Sequence, residues 1–196
     1  MSEIASQTVY FAKTGPANTE RTLELARDRA GALGIDTVLV ATTSGATAVR
    51  TAEIFAGFNI VAVTHSTGFQ EPFAQELTAE NAEVLARAGV RILTTTHAFG
   101  GVGRAVRKKL STYQVDEIIA FTLRTFGQGM KVVAEIALMT ADAGLVPAHK
   151  PVMAIAGSGR GADTAAVLYP THAQTFFDLK FVEIVCMPSP GHPALS

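Results

Sequence analysis

A chain of 196 residues has room for one α/β domain with a sizeable core and not for two of ordinary size. With 48% hydrophobic and 17% charged residues and no low-complexity tract, it is composed as a globular protein, which excludes a disordered chain. A formal net charge of −1 provides no field for nucleic acid or an anionic membrane, and the one basic cluster, Arg104, Arg107, Lys108 and Lys109, reads as a solvated helix face.

Short β-branched runs ending in Ser, Thr or Gly alternate with Ala-rich segments of helical period, the pattern of βαβ units around a mostly parallel sheet. The first helix is predicted after "TGPANTE", with Asn18 as N-cap, Glu20 in the first turn, Leu23, Ala26, Ala30 and Leu33 on one face, and Gly34 as its stop. A strand over Thr37–Thr42 leads to a helix over Ala46–Phe55, with Val49, Ala52 and Phe55 on one face. Then come a strand over Asn59–Thr64, the loop "TGFQEPF", a helix over Thr78–Ala88 capped by Thr78, and a strand over Val90–Thr95. From Val115 to Gly144, Ile119, Leu123, Phe126, Met130, Val133 and Ala137 recur at helical spacing, which predicts one long helix weakened near Gly127 and Gly129. A strand over Val152–Ala156 runs into "GSGRGADTA", read as the opening of a further helix, and Phe181–Met187 is the last strand. Cys186 stands alone in that strand, so no disulfide framework exists and the residue is expected in the core. No apolar run approaches the ~18 residues of a membrane span. The N-terminus lacks a basic region followed by an apolar one, and the expectation is a cytoplasmic protein.

In an open α/β sheet, ligands bind beyond the carboxyl ends of the strands, where the next helix begins. Those ends read Thr42-Thr43-Ser44-Gly45-Ala46-Thr47, then Thr64-His65-Ser66-Thr67-Gly68, then Thr94-Thr95-Thr96-His97, then Gly157-Ser158-Gly159-Arg160-Gly161. Helix capping alone accounts for any one of them. Two Gly/hydroxyl loops and a third hydroxyl-rich end favour a ligand site, because a helix N-terminus with a nearby glycine offers free N–H donors to a phosphate. The phosphate is expected on Thr43–Thr47, with the Ser44 and Thr47 hydroxyls assisting and Gly45 allowing close approach. Sharper motifs are absent: there is no G-x-x-x-x-G-K-[ST] loop and no G-x-S-x-G elbow, and Gly157, Gly159 and Ala162 match G-x-G-x-x-A without an acidic partner to read a ribose. The five histidines have no metal-ligand spacing, and His65 and His97, at strand ends, read as structural histidines before acid–base groups.

The run "DTVLVATTSGATAVRTAEIFAGFNIVAVT" resembles the start of the C-terminal α/β domain of pyruvate kinases, with its "T-x-S-G-x-T" loop. Together with "NTERTLELARDRAGALGI", "VTHSTGF", "THAFGGVGRA", "QGMKVVAEIALMTADAGLVP" and "GADTAAVLYPTHAQTFFDLKFVEIVCMP", it is similar, over nearly the whole chain, to the stand-alone proteins of this family from archaea and bacteria. The resemblance implies a single three-layer α/β/α domain over residues 1–196, around a mostly parallel five-stranded sheet with the last strand antiparallel. It implies a phosphate on the loop Thr42–Thr47, a closing loop over Gly157–Thr164, and flavin mononucleotide (FMN) as the occupant in the stand-alone group. The binding residues expected are Thr42, Thr43, Ser44, Gly45, Ala46, Thr47, Thr64, His65, Gly68, Phe69, Thr96, His97, Arg124, Gly157, Ser158, Gly159, Gly161 and Thr164, with no metal and no assigned catalytic residue. Two functions follow: a binding module for a phosphorylated small molecule, or a flavin-dependent oxidoreductase with His65, His97 or Arg124 near the ring. A homo-oligomer is expected because the kinase domain takes part in subunit contacts. Nothing in the sequence matches the barrel that carries the kinase's metal, phosphoenolpyruvate and catalytic Lys and Arg, so no pyruvate kinase activity is expected. Ala46 stands where many kinase loops carry a larger polar residue, which sets this loop apart from a sugar-phosphate effector site.

Overall fold

The computed structural model describes residues 3–147 and 149–195. Its centre is made by the runs that are apolar without alternation: β2 (Thr37–Ala41), β3 (Asn59–Val63) and β5 (Val152–Ala156). Such runs suit strands covered on both faces. They pair in parallel, Val38 lying between Ile60 on one side and Met153 on the other. The short strands β1 (Val9–Phe11) and β4 (Arg91–Leu93), with β6 (Thr164–Tyr169) and β7 (Lys180–Pro188), complete a seven-stranded sheet in the order β1-β7-β6-β5-β2-β3-β4.

Helices cover both faces. On one side α1 (Thr19–Leu33), α2 (Ala46–Ile54) and α3 (Ala79–Arg87) bury Leu23, Ala26, Phe55 and Leu85 against Val38, Val40, Ile60 and Ile155. On the other, α6 (Gln128–Asp142) buries Met130, Val133, Ile136 and Ala137 against Leu39, Val61 and Ala154. Outside α6 lies α5 (Val115–Arg124), which meets it through Ala120, Ala134 and Leu138, and α4 (Val102–Leu110) packs on α5. Val115, Ile118 and Phe121 on α5 stay more than half exposed. Among the described residues no helix is long and apolar enough to cross a membrane. Cys186 is buried, and burial pushes its thiol up to about 11.

The α/β class and the mostly parallel sheet agree with expectation, and Thr78 caps α3 by accepting from Asn81 N at 3.2 Å; the strand that runs against the others is β6, while the last strand, β7, antiparallel to β6 and parallel to β1, runs with them. Other expectations need correction. The sheet has seven strands, not five, because β1 adds at one edge and β6 inserts between β5 and β7. Where "GADTA" was expected to open a helix, the chain reverses and Thr164–Tyr169 pairs antiparallel with β5, Ala156 facing Thr164. The long helix over 115–144 is two: the chain breaks between Arg124 and Gln128, where Gly127 takes φ 122°. Gly129 is buried at the start of α6, where a Cβ would run into Thr164 Oγ1; a glycine there marks close packing, not a weak point. Asn18 caps nothing: its backbone is already helical and its amide donates to Lys13 O at 2.8 Å. Leu33, placed on the core face, is 42% exposed.

Candidate ligand-binding site

At the carboxyl ends of β2, β3 and β5 lies a cleft of about 800 Å³. Ala41 and Val63, the last residues of β2 and β3, form its floor; the turn after β2 and the glycine turn after β5 form two walls, and α6 forms a third. Of the expected residues, Thr42, Thr43, Ser44, Ala46, Thr47, Thr64, His65, Phe69, His97, Arg124, Gly157, Gly159 and Gly161 line it. Gly45, Gly68, Thr96, Ser158 and Thr164 are not among the lining residues.

The turn is rigid for local reasons. Thr42 Oγ1 accepts from Gly45 N at 3.1 Å, and Ser44 O accepts from Asn81 Nδ2 at 2.9 Å and Thr78 N at 3.2 Å, tying the turn to the start of α3. Gly45 sits at φ 96°, and a Cβ there would come within 2.6 Å of Asn81 Cβ and 2.7 Å of Leu77 Cδ1. Its place is against α3, not in the cleft, and its N–H is already used. No side chain caps α2, so the amides of its first turn, beginning with Ala46 and Thr47, are the free donors at the cleft.

The glycine turn after β5 is held from beneath by Asp163, a fully buried residue that sequence reading passed over. Its carboxylate accepts from Gly15 N at 2.9 Å, Ser158 N at 3.2 Å and Thr164 Oγ1 at 2.9 Å. Gly161, at φ 72°, packs on Pro16 and Thr19, and Ala162 N donates to Thr19 Oγ1 at 3.0 Å. Thus Ser158 and Thr164 serve the turn's framework, while Gly157, Gly159, Arg160 and Gly161 face the cleft.

With this geometry in place, comparison with known proteins is decisive for the family. The family described as "Pyruvate kinase, alpha/beta domain" matches residues 20–168. The chain belongs to this family. Among solved structures, a pyruvate kinase from Cryptosporidium parvum aligns over 81% of this chain and 24% of its own, at 14% identity and a TM-score of 0.42. The same organism's pyruvate kinase in complex with ADP aligns over 87% and 24%, at 16% identity and a TM-score of 0.39. A mutant O-ureido-L-serine synthase with O-ureido-L-serine bound aligns over 70% and 49%, at 16% identity and a TM-score of 0.30. This pyruvate kinase alpha/beta domain therefore spans about a quarter of the length of the pyruvate kinases it matches.

The far wall of the domain's cleft contains residues that sequence reading did not assign to a site. Arg104, taken as part of a solvated face, lines the cleft with its guanidinium 5.0 Å from the centre of the Phe69 ring; Arg107 instead pairs with Glu117 at 2.6 Å. Phe69, His65 and His97 form a cluster of three rings, with Phe69 4.1 Å from His65 and 4.9 Å from His97 and the imidazoles 5.5 Å apart between ring centres, and His65 Nδ1 bonds Glu76 Oε2 at 2.6 Å. Arg124 is steadied by Gln128 Oε1 at 2.7 Å. Among the described residues, neither Arg104 nor Arg124 forms a salt bridge with a carboxylate. From α6, Lys131 and Glu135 reach the cleft as a buried ion pair, and Glu135 Oε1 also accepts from Phe99 N at 3.1 Å. Burial holds the Lys131 ammonium below the usual lysine range, against the pull of Glu135. The signal was in the sequence: Lys and Glu four apart inside the apolar run "MKVVAEIALM" share one helix face that has no solvent. No group of three or more described His, Cys, Asp and Glu residues could hold a metal.

Burial pushes the His97 imidazole down to about 4, with Lys131, His65 and Arg104 adding to the shift and Glu135 opposing it. His97 is therefore neutral at pH 7 and able to donate or accept one hydrogen bond at the cleft. Between pH values of about 4 and 6.5 the unfolded chain binds a proton that the folded one refuses, so stability should fall as pH drops through that window. In urea unfolding at about pH 7 and about pH 4.5, His97→Gln should lose less stability than the wild type. Equal losses would show that His97 does not resist protonation.

Proposed function

We propose that this domain binds a phosphorylated small molecule in the cleft, with flavin mononucleotide as the occupant. The observation that carries the reading is the meeting, in one cavity, of the uncapped α2 N-terminus with three arginines, Arg104, Arg124 and Arg160, that form no salt bridge among the described residues. Phosphate is suited to the Thr43–Thr47 turn, where backbone N–H groups and the helix dipole favour an anion without burying a counter-charge. The residues fit the rest of the nucleotide: Phe69, with His65 and His97 beside it, offers an aromatic ledge for a planar ring, and about 800 Å³ is within the size range of small-molecule sites. Bound flavin would supply one- and two-electron redox chemistry. The buried Lys131–Glu135 pair at the cleft favours a second reading, a flavin-dependent oxidoreductase, because paired ionisable groups in a cleft are more common at reacting sites than on plain binding surfaces. NAD(P)H oxidation by the flavin-loaded protein separates the two.

The test compares FMN with riboflavin by calorimetry. A hydrogen bond to a charged acceptor contributes about 1.5–3 kcal/mol, so Ser44→Ala or Thr47→Ala should weaken FMN binding roughly tenfold to a hundredfold. Riboflavin should bind the wild type more weakly and lose little further in either variant, since the deleted contact is to the phosphate. Equal losses for both ligands would move the phosphate off this turn. Mass spectrometry of small molecules that co-purify identifies the natural occupant directly.

A further inference from the structure

Six lysines occur in the chain, and five of them, Lys13, Lys108, Lys109, Lys150 and Lys180, are exposed. Lys131 is the exception at 4% exposure, yet it lines the cleft that also contains the Thr43–Thr47 turn. Its ammonium is paired with Glu135 and lies 5.7 Å from the centre of the Phe99 ring, with Arg104, Arg124 and His97 as the other ionisable groups around it. A pair serving packing alone needs no opening to a cavity, and apolar side chains of like volume would replace it at little cost. A lysine in a dry pocket beside other cations and one carboxylate is instead arranged as an amine nucleophile with its base attached.

We propose that Lys131 condenses with a phosphorylated aldehyde held in the cleft, forming an imine; the inference rests on the phosphate reading given above. Glu135 takes a proton from the ammonium, the neutral Nζ attacks the aldehyde carbon, and a second Nζ proton passes to the former carbonyl oxygen to give a carbinolamine. Glu135 then returns the proton to the carbinolamine hydroxyl, water leaves, and the C–N bond becomes a protonated imine. Amine and aldehyde are consumed, one water is released, and no oxidant is needed. The positive charge stays on the same nitrogen beside Glu135, so the adduct keeps the ion pair and buries no new charge. The phosphate on the turn raises the local concentration of aldehyde at Nζ.

The test uses pyridoxal 5′-phosphate on the full chain near stoichiometry, followed by borohydride to reduce the C=N bond and peptide mapping by mass spectrometry. The adduct should appear on Lys131 at least about tenfold above any exposed lysine, and phosphate-free pyridoxal should give under about a tenth as much. Excess FMN or inorganic phosphate should suppress it. Lys131→Arg keeps a cation beside Glu135 and should show no adduct at that position while retaining its circular dichroism spectrum. Labelling confined to the exposed lysines, with calorimetry showing that FMN still binds, would overturn the imine and leave the phosphate reading standing. Equal labelling of Lys131 by pyridoxal and its phosphate would overturn the phosphate reading and this inference with it.

Discussion

Asp163→Ala should destabilise the domain by about 4 kcal/mol and loosen the glycine wall of the cleft at the same time. The residue is fully buried, and three donors converge on its carboxylate: Gly15 N, Ser158 N and Thr164 Oγ1. Alanine removes the acceptor and leaves two backbone amides and a hydroxyl without partners in a place water reaches poorly, each orphan costing about 1–3 kcal/mol. The sum is smaller than three full penalties because the 15–16 and 157–161 segments can shift toward solvent. Against a total stability of about 5–15 kcal/mol, the loss is a large share. Asp163→Asn can keep its oxygen on Gly15 N and Ser158 N, which share Oδ2, while its NH₂ donates to the Thr164 hydroxyl, so a clearly smaller loss is expected, that of the charge on the acceptor. Urea unfolding gives the magnitude, and hydrogen exchange gives the location: the Gly15 and Ser158 amides should lose protection in Asp163→Ala before those of β2 do. Unchanged exchange at both amides would remove Asp163 as the tie between the two turns. On the proposed reading Asp163→Ala should also weaken FMN binding, because Gly157, Gly159 and Gly161 lose their fixed position at the cleft.

Lys131→Met is the second large effect, at about 3–5 kcal/mol. The substitution is close in volume, so the loss does not come from a void. It comes from Glu135, 4% exposed, left with the Phe99 N–H as its partner and no cation. A second change discriminates between these causes. Adding Glu135→Gln removes the stranded charge while keeping a carbonyl oxygen for Phe99 N, so the double variant should be more stable than Lys131→Met alone. If the double variant is instead less stable than the single by the full cost of another polar deletion, the penalty lies in packing and not in an unpaired charge. Equilibrium unfolding of the two singles and the double closes the cycle.

Much of this molecule was legible in its residues. Continuous apolar runs at 37–41, 59–63 and 152–156 marked strands buried on both faces, and the three-four spacing of Leu23, Ala26 and Ala30 marked the core side of α1. Hydroxyls and glycines at the ends of those strands located the cleft, since a parallel sheet offers free helix N-termini only there. By contrast, "DTAAVLY" is a short apolar run whose periodicity cannot distinguish helix from strand. Tertiary pairing decided it: β5 had an open edge, the turn at 157–161 folded back over Asp163, and Gly129 left space for Thr164. The break at Gly127 was likewise invisible to periodicity, because α5 and α6 have apolar faces that read in phase across it. The charged wall of the cleft was the least accessible. Lys131 and Glu135 come from a helix far from the strand-end motifs in sequence and Arg104 from one that reads as a solvated basic face, and a pattern tells which face of a helix is apolar, not what that face meets. Local sequence determined the elements and the end of the sheet where the cleft lies, because hydrogen-bonding period and side-chain burial are local properties. Only the packing of α4, α5 and α6 over that end decided which charges face the cleft, because side chains distant in sequence acquire a shared environment only when the chain has folded.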